Sequence, residues 1–175
     1  RRVTSPGAVV DELFEDEAPN AVGNFVWLAQ KRFYDGGRFH RVVPFFVAQG
    51  GDPLARDPEG DLLLGTGGPR YTIRTEPGTA PGQRHRRPWR GSIAMARAGQ
   101  KDTEGSQFFL TTGTAAHLDG DVTVFGRIAE GQEAADRIVQ GDPMPGPGAP
   151  DLPRGAADPP VTTQGLPGPE PPHRW

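Results

Sequence analysis

Apolar and polar residues alternate over several short stretches of this chain, which predicts a mainly β structure. Residues 107–111 and 122–128 alternate in this way, as half-buried strands do, and a strand is also predicted over residues 9–14. A further short strand is predicted over residues 92–95. Within 107–111 the alternation separates two sets of side chains. One face carries Gln107, Phe109 and Thr111, and the opposite face carries Phe108 and Leu110.

The stretch 39–52 concentrates aromatic and β-branched residues, which favour a buried strand. Pro44 cannot donate to a β-ladder, so it predicts a strand start, a bulge or an edge. If the strand after Pro44 is regular, its side chains fall into two sets. One face carries Phe46, Ala48 and Gly50, and the other carries Val47, Gln49 and Gly51. The pattern alone leaves two interpretations of Arg41 open: a charge beside a core strand, or a functional side chain.

Helical spacing of apolar residues predicts two helices. Residues 19–31 begin with a proline, whose missing N–H costs little in a first turn, and their apolar positions form one stripe. That stripe consists of Val22, Phe25, Val26 and Ala29. Residues 131–139 form a shorter helix that turns Ala135, Ile138 and Val139 inward. Many short strands, two helices and glycine turns together predict a closed antiparallel barrel.

Composition narrows the classes of function. A chain of 175 residues with a net charge of −3 is most simply one domain with no general attraction to nucleic acid or membranes. It contains no cysteine, which excludes disulfide and thiol chemistry and is consistent with a cytoplasmic location. No apolar run approaches the roughly 20 residues that span a bilayer. Because the chain begins on Arg1 rather than methionine, removal of a leader followed by export stays open.

Proline divides the chain into two parts. Eleven of the 20 prolines follow Gly141, and the residues among them carry little apolar surface to offset the entropy of ordering. We therefore expect a folded domain over 1–141 and a mostly disordered tail over 142–175.

Basic residues cluster around Trp89 in residues 83–90, which suggests two interpretations. A basic segment with an aromatic residue is one pattern of nucleic-acid binding. The alternative is a solvated loop before the strand at 92–95, and the overall acidic charge favours it.

Five short motifs occur in an order that is typical of one family. They are FHRVVP, F-x-x-QGGD, MA-R-AG, GSQFF and LDG…VFG, and they lie between Gly7 and Gly141. In these motifs the chain resembles the cyclophilins, the peptidyl-prolyl cis–trans isomerases. The resemblance implies a closed eight-stranded antiparallel β-barrel capped by two α-helices. It also implies a closing strand after the last helix, for which residues 161–163 are the candidate.

The resemblance assigns roles to residues that match the family's motifs. Arg41 becomes the catalytic hydrogen-bond donor, and Gln49 and Gln107 hold the substrate backbone and orient that arginine. Four residues, Phe46, Met95, Phe109 and Leu118, are expected to form the proline pocket. The wall for residues before proline is expected to consist of Ala96, Arg97 and Thr103. Residues 65–68 resemble the family's glycine-rich turn beside the groove.

The chain departs from the family pattern at three positions. Arg97 replaces a common asparagine, Val122 stands where a histidine is frequent, and His117 replaces the tryptophan before LDG. His40 and His117 are placed among the substrate-binding residues. Because the reaction transfers no proton, His40 is expected to be structural rather than a base.

The resemblance therefore implies an isomerase of X–Pro bonds that needs no metal or cofactor. Its expected partners are proline-containing peptides and unfolded or folding proteins, with weak cyclosporin binding, no nucleic acid, no membrane and a monomeric state. The alternative is a proline-peptide binding module that has kept the groove and lost turnover.

Overall fold

A computed structural model describes residues 2–4, 7–57 and 63–144 of the chain. The strands are β1 Arg2–Thr4, β2 Gly7–Leu13, β3 Arg41–Val43, β4 Val47–Gly50, β5 Ser92–Met95, β6 Phe108–Thr111 and β7 Val124–Glu130. The α-helices are α1 Pro19–Gln30 and α2 Gln132–Asp136, and single 3₁₀ turns cover Pro53–Arg56 and Ala116–Leu118. None of the helices in these ranges is long and apolar enough to cross a membrane.

The strands form an antiparallel arrangement in the order β1-β2-β7-β5-β6-β4-β3. The predicted mainly β fold with two helices is confirmed. The closed eight-stranded barrel is not: within the described residues there are seven strands, and β1 and β3 are edges that do not pair with each other. The candidate for the closing strand, residues 161–163, lies outside the described residues.

The stretch 39–52 forms a hairpin of β3 and β4 rather than one continuous strand, and Pro44 lies in its turn, between an edge strand and the start of the next one. Arg41 lies opposite Gln49 across the hairpin, and the turn closes with a hydrogen bond of 3.1 Å from the Phe46 N–H to the Val43 carbonyl. Phe45 occupies the turn with a φ of 58° and is 89% exposed. Proline followed by a left-handed residue directs the chain back on itself despite the strand-forming composition.

The main core lies between α1 and one face of the sheet. The predicted stripe on α1 is buried, and Phe25 at its centre packs against three rings at 5.2–5.3 Å. Those rings belong to Tyr34, Phe108 and Phe125. The second helix is shorter than predicted, and Val139 is 60% exposed rather than turned inward.

The folded body continues to Met144, three residues past the predicted boundary. The Met144 N–H donates to the Gly37 carbonyl at 2.7 Å, and Phe39 exchanges hydrogen bonds of 2.9 and 3.0 Å with Gly141 and Asp142. The Met144 side chain belongs to the main core and is 3% exposed. This strand-like segment therefore covers one end of the core beside β3.

Shortening the chain should separate the contribution of Met144 from that of the residues after it. A chain that ends at Gly141 should be less stable than one that ends at Met144 by about 2–5 kcal/mol, the usual cost of removing a buried methionine side chain. Urea denaturation of both chains measures the difference, with Val139→Ala as an exposed control.

The same series tests the predicted closing strand. If residues 161–163 close the barrel, a chain that ends at Met144 should melt modestly below the full chain, because an unpaired edge is costly. An identical Tm would remove that strand assignment.

Candidate active site

A partly apolar hollow of about 340 Å³, which we call the proximal hollow, lies where the β3–β4 hairpin meets β6. It is lined by Arg41, Phe46, Val47, Gln49, Ala96, Arg97, Gly99, Phe109, His117, Leu118 and Val122. Eight of the twelve predicted site residues meet here, and they come from four separate segments of the chain. The sheet thus brings together site residues that are far apart in the sequence.

The floor of the hollow is a small apolar cluster on the sheet face opposite the main core. Phe109 lies opposite Gln49 in the β4–β6 pairing and is 5% exposed. It packs in one cluster with Val47, Val122 and the partly buried Phe46 and Leu118. Since Phe108 and Leu110 belong to the main core, the alternation predicted for β6 is observed in the structure.

Two glutamines form a polar chain along the rim. Gln49 Nε2 donates to Gln107 Oε1 at 3.0 Å. Gln107 Nε2 donates in turn to the carbonyls of Gly65 and Gly67, at 2.9 and 2.8 Å. Gln107 therefore fixes the glycine-rich turn to the sheet, and its own orientation is set by Gln49.

Arg41 stands at the rim with its guanidinium unengaged. The residue is exposed, and across the described part of the chain it forms neither an ion pair nor a hydrogen bond through its side chain. The predicted contact through which the glutamines orient this arginine is absent, because they bond to each other and to the turn. The donors of Arg41 are therefore free to meet a ligand in the hollow.

The glycine-rich turn is held from below by a buried carboxylate. Asp52, 1% exposed, accepts from the Gly65 N–H at 2.5 Å and from the Leu54 N–H at 2.8 Å. A Cβ at Gly67 would lie 2.1 Å from Asp52 Oδ1, so this close approach requires glycine.

A second and larger hollow of about 740 Å³ adjoins the first. The glycine-rich turn and the residues that follow it form one wall, and residues 96–98 and 105–107 form the other. The two hollows share three lining residues, Gln49, Ala96 and Arg97. Thr103 lines only the second hollow, where its hydroxyl accepts from the Ala98 N–H and donates to the Gln100 carbonyl.

His117 borders the proximal hollow beside Phe46. The two rings are 5.0 Å apart with an interplanar angle of 34°. His117 belongs to the 3₁₀ turn Ala116–Leu118 and is exposed, so its ring extends the apolar floor outward to solvent.

Two of the predicted site residues lie away from both hollows. Met95 is fully buried in the main core, because it lies opposite Phe108 across the β5–β6 pair and shares its face. The assignment of Met95 to the proline pocket is therefore corrected. His40 is buried beneath the rim, and burial lowers its pKa, with Arg41 acting in the same direction and Asp52 against it. It is a neutral structural group at pH 7.

Val47 was not among the predicted site residues, although it lines the floor. The alternation in the sequence places Val47 on the same face as Gln49, and this pattern could have identified Val47 as a site residue. Val122 occupies the outer end of the floor and presents only methyl groups there.

The basic segment 83–90 is paired with carboxylates of the same protein. Arg84 and Arg86 pair with Glu17 at 3.1 and 2.6 Å, and the Arg86 hydrogen bond lowers the pKa of that carboxyl. His85 and Arg87 pair with Asp119 at 2.6 and 3.2 Å, and Arg90 pairs with Asp136. These contacts favour the structural interpretation of the segment over nucleic-acid binding.

The arrangement defines a class of protein: a β-sheet scaffold with an open groove that offers an apolar floor and a charged donor at its rim. The family model described as "Cyclophilin type peptidyl-prolyl cis-trans isomerase/CLD" matches residues 2–151. The chain belongs to this family, as its motifs had indicated.

Relatives and solved structures agree with this membership. A Helicobacter pylori peptidyl-prolyl cis-trans isomerase is 50% identical over 141 residues, which cover 79% of this chain and 78% of that protein. Peptidyl-prolyl cis-trans isomerase B of Bacillus subtilis is 46% identical over 133 residues, covering 76% and 84%. A Cryptosporidium parvum cyclophilin-type isomerase, crystallised in the presence of the dipeptide Ala-Pro, superposes with a TM-score of 0.64 at 30% identity, covering 81% and 89%.

A buried acid behind the second hollow was missed by the sequence analysis. Glu104 is fully buried and accepts from the Thr123 N–H at 3.2 Å and from the Thr123 hydroxyl at 2.9 Å. Burial raises the pKa of Glu104 to about 8, and nearby Glu76 acts in the same direction. The carboxyl is therefore mainly neutral at pH 7.

This buried acid should make the stability of the protein fall as the pH rises. The native state keeps the Glu104 proton up to a pKa of about 8, whereas the unfolded chain releases it near the ordinary value of 4.5. Between these values the unfolded state binds fewer protons, so the free energy of unfolding should decrease by up to about 1.4 kcal/mol per pH unit. Urea denaturation at pH 6, 7 and 8 measures this slope.

Glu104→Gln should flatten the slope, since the amide oxygen still accepts the Thr123 N–H but no proton is released. Glu15→Gln, which changes an exposed carboxyl, is the control and should keep the wild-type slope. Equal slopes in all three proteins would show that Glu104 does not hold its proton.

Proposed function

We propose that this chain accelerates rotation about X–Pro bonds without forming a covalent intermediate. The amide C–N link is partly double and resists rotation with a barrier of about 18–20 kcal/mol. Uncatalysed exchange takes roughly tens to hundreds of seconds. A catalyst needs only to hold the proline ring and to stabilise the twisted amide more than either planar form. Both requirements match groups in the proximal hollow.

The proline ring is assigned to the apolar floor. Phe46, Phe109 and Leu118 offer it a surface of aromatic and aliphatic carbon, and the adjoining Val47 and Val122 extend that surface. The floor lies on a paired sheet whose other face is the main core, so its shape is preorganised. Burying the ring there removes apolar area from water and anchors one side of the rotating bond.

Arg41 is assigned as the catalytic donor, and its unengaged guanidinium at the rim is the observation that carries the proposal. Twisting the amide localises a lone pair on the prolyl nitrogen, which then accepts a hydrogen bond that the planar amide does not. Gln49 and Gln107, fixed by their mutual bond, are assigned to the peptide backbone. The neighbouring apolar wall excludes water and strengthens the electrostatic contribution of the donor.

The substrates are assigned as proline-containing segments of peptides and of unfolded or folding proteins. The C. parvum relative was crystallised in the presence of Ala-Pro, which is the smallest such segment. Because the groove is open and lies on the surface of a single folded body, a monomer suffices for this activity. The internal ion pairs of residues 83–90 support a function without nucleic acid.

Replacing Arg41 tests the mechanism. Arg41→Ala should remain folded, keep most of its affinity for a proline peptide and lose turnover by a factor on the order of 10²–10³, by analogy with the loss of other preorganised donors. Arg41→Lys should recover little, because an ammonium lacks the planar fork of the guanidinium. Exchange spectroscopy on one X–Pro peptide measures the rate, and a titration measures the affinity.

Phe109→Ala provides the contrasting control, since it removes floor area and should weaken binding. Near wild-type turnover in Arg41→Ala would show that the arginine is structural. Binding by the wild-type protein with no turnover would instead identify a binding module.

The residue at position 117, on the rim of the hollow, determines the response to cyclosporin that we expect. In relatives the tryptophan at this position donates a hydrogen bond to the inhibitor, and an imidazole is shorter and differently aimed. We expect weak inhibition of the wild-type protein with normal peptide turnover, and stronger inhibition of His117→Trp. Inhibitor titrations of both proteins measure this, and potent inhibition of the wild type would contradict it.

A further inference from the structure

The charge of the groove differs in sign from that of the whole protein. The chain carries 19 Lys and Arg against 22 Asp and Glu. The residues that line the two hollows nevertheless include three arginines, Arg41, Arg70 and Arg97, and no carboxylate among the described residues. We propose that this chain prefers proline segments with an acidic side chain two residues before the proline. This inference rests on the proposed function and names its substrate class.

Arg97 is the central group of this preference because it lines both hollows. Its side chain is 16% exposed, and Nη1 donates to the Gly99 carbonyl at 2.5 Å, which fixes its position. Nη2 lies 3.4 Å from Oδ1 of Asp121, whose side chain is 54% exposed. An ion pair with so exposed a carboxylate contributes little. A substrate carboxylate inside the hollow can therefore share or replace it.

Arg70 supplies a second cation to the larger hollow. Its backbone has a φ of 66°, in the left-handed region that non-glycine residues rarely adopt. The preceding Pro69 packs closely on residue 105, where a Cβ would lie 3.0 Å from the proline Cδ. Tight packing thus fixes the backbone beside Arg70, while its exposed side chain reaches the lining of the larger hollow. Over the described ranges Arg70 forms no ion pair, so its charge is uncompensated there.

The carboxyl groups near the larger hollow do not cancel these charges. Asp52 is 1% exposed and is occupied by the backbone N–H groups of the glycine-rich turn. Glu104 is fully buried and bonded to Thr123, and burial raises its pKa to about 8, which keeps it mainly neutral at pH 7. The hollow therefore presents positive charge to its contents.

The shared wall leads from the proline position to the larger hollow, which places the acid two residues before the proline. With the ring on the floor of the proximal hollow, the preceding residues pass the wall at Ala96 and Arg97, which the two hollows share. An extended chain covers about 7 Å over two residues. An Asp or Glu side chain at that position enters the larger hollow, where both arginines can donate to it.

The test uses three peptides of the form Ala-X-Ala-Pro-Phe, capped at both ends, in which X is Glu, Gln or Lys. Isomerisation is followed by exchange spectroscopy, and binding of the same peptides is titrated separately. The Glu peptide should exceed the Lys peptide in kcat/KM by several-fold to about tenfold, as expected for partly exposed ion pairs, mainly through KM. The preference should shrink in 0.5 M salt, which screens such pairs.

Variants assign the preference to individual residues. Arg97→Gln and Arg70→Gln should each reduce the Glu-to-Lys ratio, whereas Arg74→Gln should leave it unchanged. Arg74 is exposed and lines neither hollow. Its substitution by glutamine therefore removes one positive charge outside the groove. A ratio that falls equally in all three variants would indicate net charge rather than the groove, and would overturn the inference.

The outcomes separate this inference from the proposed function. Equal rates and equal affinities for the three peptides would overturn the acidic preference while leaving the isomerase intact. Binding that favours Glu with no turnover of any peptide would support the preference and contradict the isomerase. A preference for Lys would contradict the assignment of Arg70 and Arg97.

Discussion

The site depends on the alternation of side chains across β6. Phe108 and Leu110 anchor one face of this strand in the main core, so Phe109 must project from the other face. Any change of register by one residue would exchange the two sets and destroy the core and the groove together. The active-site floor therefore inherits the rigidity of the core without being part of it. The glutamine chain extends this rigidity to the glycine-rich turn, which has no strand of its own.

Local sequence pattern predicted the elements whose side chains follow simple periods. The predicted stripe on α1 and the two predicted faces of β6 are confirmed. Their periodic pattern is sufficient because it depends only on which side of the element faces the core. The hairpin at 41–50 was missed because aromatic residues in its turn mimic a strand. That error mattered for the site. Regular alternation separates Phe46 from Gln49, whereas the turn at Pro44 brings both to one hollow.

Features that depend on contacts between residues far apart in the chain could not be predicted from local sequence patterns. Arg84 and Arg86 meet Glu17 across more than sixty positions, and no local pattern links them. Glu104 lies in a polar motif that predicts exposure, yet tertiary packing buries it against Thr123. Met95 was misassigned in the other direction, to the site instead of the core. Its motif lies beside the site, but the alternation of side chains along β5 directs the Met95 side chain into the core.

The arginines of the groove illustrate how stability and function diverge in one structure. In the basic segment each arginine has a carboxylate partner, which offsets part of the positive charge and attaches the loop to the body. Arg41 and Arg70 have no such partner in the described residues and so contribute little to folding. Their charges are solvated in the free protein and lose water only when a peptide covers them, which strengthens each hydrogen bond they make. A carboxylate within the groove would stabilise the empty protein but would occupy the same donors. Among the described residues the lining holds no carboxylate, which leaves these donors available to a peptide in the way that the proposed preference requires.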